Sequence, residues 1–122
     1  MTSSIVVRRT PTQADFDLFA EISGDDNPIH VDPDFSARTR FGRTVSHGML
    51  LYSWCWALLR EHFPEAHPVK DSLMFPNPSF ADEELSFELS PLEDNRIDVV
   101  IRRVADGETV LTLETEFKEL AS

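Results

Sequence analysis

The sequence predicts an α+β domain in which an antiparallel sheet has one face covered by an apolar helix. Three observations predict it. Residues 49–59 are the most apolar stretch of the chain, and Met49, Leu50, Leu51, Trp54, Cys55, Leu58 and Leu59 cover more than one helical face. From Ser72 onward apolar residues recur at every second position, the period of a half-buried strand. Two turn signals, Asp94-Asn95 and Asp106-Gly107, cut that region into short strands.

Taken in chain order, Ile5-Val6-Val7 with Arg8 and Arg9 reads as a first strand. Thr12 suits an N-cap, with Asp15 three residues on to complete a capping box. Phe16, Phe19 and Ala20 then fall at helical spacing, so a helix is expected over 12–22 and Gly24 supplies its stop. Asn27 precedes Pro28, and a residue before proline is pushed out of the helical region, so 25–31 is expected as a loop. Asp32 as N-cap with Pro33 at the first helical position starts a short helix to about residue 37, before Gly42. His47-Gly48 opens the apolar helix, which is expected to be buried nearly all round and to end near His62, before Pro64. Residues 64–71 are expected as a connection, leaving His62 and His67 at the surface. Residues 75–80 carry Pro76 and Pro78 and are expected as a broken or edge strand. Leu85, Phe87 and Leu89, then Ile97, Val99 and Ile101, then Leu111, Leu113, Thr115 and Phe117 mark the inward faces of a three-strand meander.

The 122 residues suit one domain over 1–122. Hydrophobic residues at 41% and charged residues at 27% are the balance of a soluble globular chain. No apolar run reaches the roughly 18 residues of a membrane span. Met1-Thr2-Ser3-Ser4 lacks the basic start of a secretory signal. The single cysteine excludes an internal disulfide and a multi-cysteine metal site. Together these favour a cytoplasmic protein with no membrane partner. The net charge of −11 repels nucleic acid. Arg38, Arg40 and Arg43 form a local positive cluster, suited either to an anionic ligand or to neutralising nearby acids.

Two segments carry chemistry. Asp25 and His30 stand five residues apart, a spacing that a helix would not align but a loop kinked at Pro28 brings together. A rigid loop carrying a carboxylate and an imidazole suits general acid–base work. The same residue types also make plain turns. His47-Gly48, at the start of the apolar helix, offers unsatisfied N–H groups and the positive end of the helix dipole to an enolate or oxyanion. Glycine there also suits simple close packing.

The string Phe19-Ala20-Glu21-Ile22-Ser23-Gly24-Asp25-Asp26-Asn27-Pro28-Ile29-His30-Val31-Asp32 resembles the hydratase-2 motif of the MaoC-like dehydratase family, essentially Ser-Gly-Asp-x-Asn-Pro-hydrophobic-His. Phe41-Gly42-Arg43-Thr44-Val45-Ser46-His47-Gly48-Met49-Leu50 resembles the family's second block, in which His-Gly-Met opens the central helix. Pro78-Ser79-Phe80-Ala81-Asp82-Glu83-Glu84-Leu85 resembles a third, weaker block and departs from it with Ala81 where glycine is usual. The resemblance implies a hot-dog fold, a long helix wrapped by an antiparallel sheet. It also implies an activity, reversible hydration of a trans-2-enoyl-CoA or other enoyl thioester to the (R)-3-hydroxyacyl form. Asp25 and His30 match the family's catalytic pair, Gly48 the donor to the thioester oxygen, and Asn27 the residue that holds the turn. An acyl-CoA or acyl-carrier-protein thioester is then the substrate, no separate cofactor or metal is expected, and the assembly is a homodimer or higher oligomer, or a heteromer. Tyr52, Trp56 and Leu59 are candidates for an acyl pocket, which bulk at Trp56 would shorten; Trp54 and Trp56 equally suit core or interface positions. Cys55 is expected to be a small buried hydrophobe. Four histidines without metal-ligand spacing argue against a metal site.

Two other readings share this fold. A thioesterase would direct the activated water at the thioester carbonyl, and a subunit of a heteromeric 3-hydroxyacyl dehydratase would need a second chain.

Overall fold

The structure is a computed structural model that describes residues 4–118; of the N-terminal segment read above, Met1-Thr2-Ser3 lies outside the described residues. Among the described residues, five strands and four helices follow the order β1 (Ile5–Arg9), α1 (Gln13–Ser23), α2 (Pro28–Val31), α3 (Pro33–Ala37), α4 (Gly48–His62), β2 (Pro68–Met74), β3 (Leu85–Leu92), β4 (Arg96–Arg103) and β5 (Thr109–Phe117). The strands form one antiparallel sheet in the order β1-β3-β4-β5-β2. The α+β class is therefore as the pattern predicts, with α4 lying along the sheet in the hot-dog arrangement.

Leu85, Phe87 and Leu89 of β3, Val99 and Ile101 of β4, and Leu111 and Leu113 of β5 are fully buried against Leu51, Cys55, Leu58 and Leu59 of α4. The pairing Phe87↔Ile101 and Leu89↔Val99 stacks these side chains on one face. Val110 and Leu111 are both buried although adjacent. A register shift between Ile101 and Arg102 opposite them places an extra residue in β5, and such a bulge re-aims side chains locally. A second, smaller cluster of Phe16, Leu50 and Ala81 fixes α1 against the start of α4.

The caps form as read. The Thr12 hydroxyl accepts from the Asp15 N–H while the Asp15 carboxylate accepts from the Thr12 N–H, and Gly24 ends α1 in the left-handed region at φ 80°. Asp94 and Asn95, at φ 62° and 58°, make the tight turn between β3 and β4.

Four expectations need correction. Residues 25–31 are not all loop, because Asn27 caps and Pro28 begins the one-turn helix α2. Proline bars the residue before it from the helix but is itself pre-set for the first helical position. The stretch 64–71 is not all connection, since β2 starts at Pro68; it is an edge strand, where a missing N–H is tolerated at the first residue. Residues 75–80 form no strand and contribute only the bridge Val45↔Phe80, as Pro76 and Pro78 cannot donate to a ladder. Finally, α4 is not buried all round. The sheet and α1 cover Leu50, Leu51, Cys55, Leu58 and Leu59, whereas Met49 stays 52% exposed. The helix ends at His62 as expected, with that residue half-buried and His67 exposed.

Candidate active site

Asp25 lies in the four-residue link between α1 and α2. Its N–H donates to the Ser23 hydroxyl (3.1 Å), which itself donates to the Phe19 carbonyl (2.7 Å), so the link is tied to the last turn of α1. Asn27 Oδ1 accepts from the Ile29 N–H (3.1 Å) and its carbonyl accepts from the His30 N–H (2.9 Å), forming the turn that carries His30. Asp25 Oδ2 and His30 Nε2 then stand 3.7 Å apart, with the carboxylate side chain 56% exposed and the imidazole 15%.

The tautomer of the neutral His30 ring follows from its other nitrogen. Nδ1 lies 2.6 Å from the Val45 carbonyl, which can only accept, so Nδ1 carries the proton. In the neutral ring Nε2 is therefore an acceptor. Two acceptors facing each other at 3.7 Å are not bonded to each other; one water can donate to both.

Gln13 ties this arrangement to α1. Its Nε2 donates to the His30 carbonyl (2.9 Å) and its Oε1 accepts from the buried Thr44 hydroxyl (2.6 Å). Spacing alone does not reveal Gln13, because its partners lie 17 and 31 residues away.

The imidazole of His47, read above only as the opening of a helix, is the larger surprise. Its ring stacks on that of His30, with centroids 3.9 Å apart and planes at 24°. Its Nε2 donates to the Asp25 carbonyl at 2.8 Å. Burial pushes its pKa below the ordinary value of 6.5, with the His30 ring acting in the same direction and the Asp25 carbonyl and charge opposing. Asp25, His30 and His47 each offer an atom within 4.8 Å of the others, so three metal-capable groups meet that sequence spacing keeps apart. In each histidine one nitrogen is committed to a backbone carbonyl.

Gly48 follows His47 as the first residue of α4, so its N–H belongs to the unsatisfied first turn beside the His30–His47 stack. A Cβ built on Gly48 would sit 2.8 Å from Phe75 Cε1. The close-packing reading of this glycine is thus also physical: the Phe75 ring covers it.

The expected acyl-pocket residues divide. Leu59 is a core residue, 1% exposed against the sheet. Tyr52 is half-buried and its hydroxyl donates to the Asp71 carboxylate; burial first, then that carboxylate, pushes its pKa up. Trp56 is half-buried at the core margin. Arg38, Arg40 and Arg43 do not act as one cluster: Arg43 donates to the Ala81 carbonyl (2.8 Å) and stacks over Phe80, and Arg40 stacks over Phe41. A surface cleft of about 540 Å³ adjoins the link at Gly24 and Asp26, and another of about 230 Å³ lies against Trp54; neither is lined by Asp25 or His30.

Known proteins bear on this geometry. The model of the family described as MaoC like domain matches residues 2–112. The chain is 40% identical over 78 residues to the (R)-specific enoyl-CoA hydratase of Aeromonas caviae, covering 62% of this chain and 58% of that one. It is 35% identical over 77 residues to the mitochondrial 3-hydroxyacyl-[acyl-carrier-protein] dehydratase of Arabidopsis thaliana, covering 63% and 46%. The matched stretch thus spans about half the length of these relatives. The unliganded R-hydratase of Pseudomonas aeruginosa superposes with TM-score 0.82 at 27% identity, over 98% of this chain and 86% of that one. With the family model matched along nearly its whole length and the same fold in an R-hydratase, this chain belongs to the MaoC-like family.

Proposed function

We propose that the domain catalyses the reversible hydration of trans-2-enoyl thioesters to (R)-3-hydroxyacyl thioesters. One observation carries the reading: the Asp25 carboxylate and the acceptor nitrogen of His30 face each other at 3.7 Å, with the His30 tautomer set by the Val45 carbonyl. The names of the Aeromonas and Arabidopsis relatives support the same reaction.

In a conjugated enoyl thioester the β-carbon is electrophilic. A water donating to Asp25 and His30 is oriented by both, and His30 Nε2 takes one of its protons as the C–O bond forms. Electron density moves to the thioester oxygen, where the Gly48 N–H and the dipole of α4 stabilise the enolate. One such donor is worth about 3 kcal/mol of barrier. The protonated His30 then returns its proton to the α-carbon. Dehydration is the same path reversed.

The substrate is an acyl-CoA or an acyl-carrier-protein thioester, and the working assembly is a homodimer. Edge strand β2 supports the latter: it leaves Val69 65% and Met74 67% exposed beside unpaired backbone groups, the kind of edge a second copy covers.

Adding the protein to a trans-2-enoyl-CoA is expected to abolish the absorbance of the conjugated double bond and yield the (R)-3-hydroxyacyl product. Release of free CoA from a saturated acyl-CoA, with the enoyl absorbance untouched, would replace this reading with a thioesterase. Light scattering is expected to give twice the 13.9 kDa chain mass.

A further inference from the structure

We propose that His47 is the positioning residue of this site, joining the Asp25 link, the His30 ring and the start of α4 into one rigid unit. The inference rests on the hydratase reading above.

Three contacts carry it. The Nε2–H of His47 reaches across 22 residues of sequence to the Asp25 carbonyl at 2.8 Å. The face of its ring lies on His30 at 3.9 Å. Its edges are held by Phe16 and Phe19 of α1, with ring centroids at 6.3 and 4.9 Å. The side chain is 2% exposed. The Asp25 side chain is largely exposed; its N–H is tied back to α1 through the Ser23 hydroxyl, and His47 holds the carbonyl at the other end of the same residue.

The direction of the hydrogen bond is forced, because a carbonyl only accepts. The tautomer with the proton on Nε2 is therefore required, and it leaves Nδ1 as a buried acceptor without a partner. Such a group costs stability, and a side chain chosen only for packing would not need it. A phenylalanine would keep an aromatic ring there without the orphaned nitrogen. Its retention fits a role in which the donor at Nε2 matters more than the cost at Nδ1.

His47 does not touch the reacting atoms in this scheme. It acts through Asp25 and His30, by keeping their two acceptors at the separation one water spans. Misplacing a catalytic group by about 1 Å can cost roughly 100-fold in rate.

The test uses two variants of the full chain. His47→Phe keeps the aromatic stack and removes the donor. His47→Gln removes the stack but carries an amide N–H to about the reach of Nε2. With both folded by circular dichroism, His47→Phe is expected to lower kcat about 100-fold with KM within threefold, and His47→Gln to recover activity to within tenfold of the native chain. Should the Phe variant not fold, His47→Asn, whose amide stops near the Nδ1 position, takes its place with the same expectation. Equal kcat in the donor-free and donor-bearing variants, whether both high or both low, would overturn the proposal. The native chain and Asp25→Asn are measured alongside: if the native chain does not hydrate a trans-2-enoyl-CoA, the hydratase reading fails; if it does, and Asp25→Asn is inactive while the His47 variants do not differ, the positioning role alone fails.

Discussion

Asp25 Oδ2 and His30 Nε2 lie 3.7 Å apart, with the other ring nitrogen of His30 held by the Val45 carbonyl. That separation exceeds a hydrogen bond and suits a shared water, which is the nucleophile hydration needs.

Removing either acceptor should therefore stop the chemistry, with different structural costs. Asp25→Asn keeps the shape, and the side chain is exposed, so stability should stay within about 0.5 kcal/mol while kcat falls 10²- to 10⁴-fold. His30→Ala should lose as much activity and also destabilise by about 1–3 kcal/mol, because the Val45 carbonyl loses its donor in a part-buried place. Enoyl hydration rates paired with urea midpoints separate the two effects.

The pH dependence of stability should report His47. Its pKa in the folded chain is lowered from 6.5, chiefly by burial among Phe16, Phe19 and His30, with Asp25 opposing. Above pH 6.5 folded and unfolded chains both hold it neutral, and stability is at its full value. As pH falls below that, the unfolded chain binds the proton first, so stability declines until the folded imidazole titrates too. Urea midpoints measured from pH 7.5 to 5 should fall more steeply for the native chain than for His47→Phe. Parallel profiles would mean that His47 titrates normally.

What the sequence made legible here is mostly local. Thr12 with Asp15, Asp32 with Pro33 and the positive-φ pair Asp94-Asn95 act within a few residues, and each forms as read. The inward faces of β3, β4 and β5 are legible because strict alternation has one meaning in a sheet covered on one side. Features that depend on distant partners are not. Pro68-Val69-Lys70-Asp71-Ser72 carries little apolar alternation, and only pairing with β5 makes it a strand. At the site, the Asp25–His30 pair is visible because one six-residue segment holds both groups, whereas His47 and Gln13 reach it only through the packing of α1 on α4.

Gly48 and Phe75 should be energetically coupled. A methyl at residue 48 meets the Phe75 ring at 2.8–3.0 Å, and that ring, 47% exposed, has room to swing outward. Alanine also suits a helix better than glycine. Gly48→Ala should therefore change stability little, and Phe75→Ala should relieve what strain there is, with a coupling of about 0.5–1 kcal/mol in a double-mutant cycle. Alanine keeps the N–H, so if that donor is the group acting at residue 48, the double variant should hydrate faster than Gly48→Ala alone.

Cys55 should report opening of the whole core. It is the chain's one cysteine, fully buried between α4 and the sheet, and burial pushes its thiol up to about 12. Only the thiolate reacts with disulfide reagents, so the folded chain at pH 8 should show no labelling on the time scale on which a free thiol is consumed. In denaturant, one thiol per chain should react. At low denaturant the labelling rate should follow the free energy of opening, because α4 must leave the sheet before a reagent reaches the sulfur. Leu59→Ala, which empties a neighbouring core position at a cost of about 2–5 kcal/mol, should accelerate labelling by at least an order of magnitude, while the exposed change Asp25→Asn should leave it unchanged. Rapid labelling of the native chain would show that the helix opens locally, without the sheet.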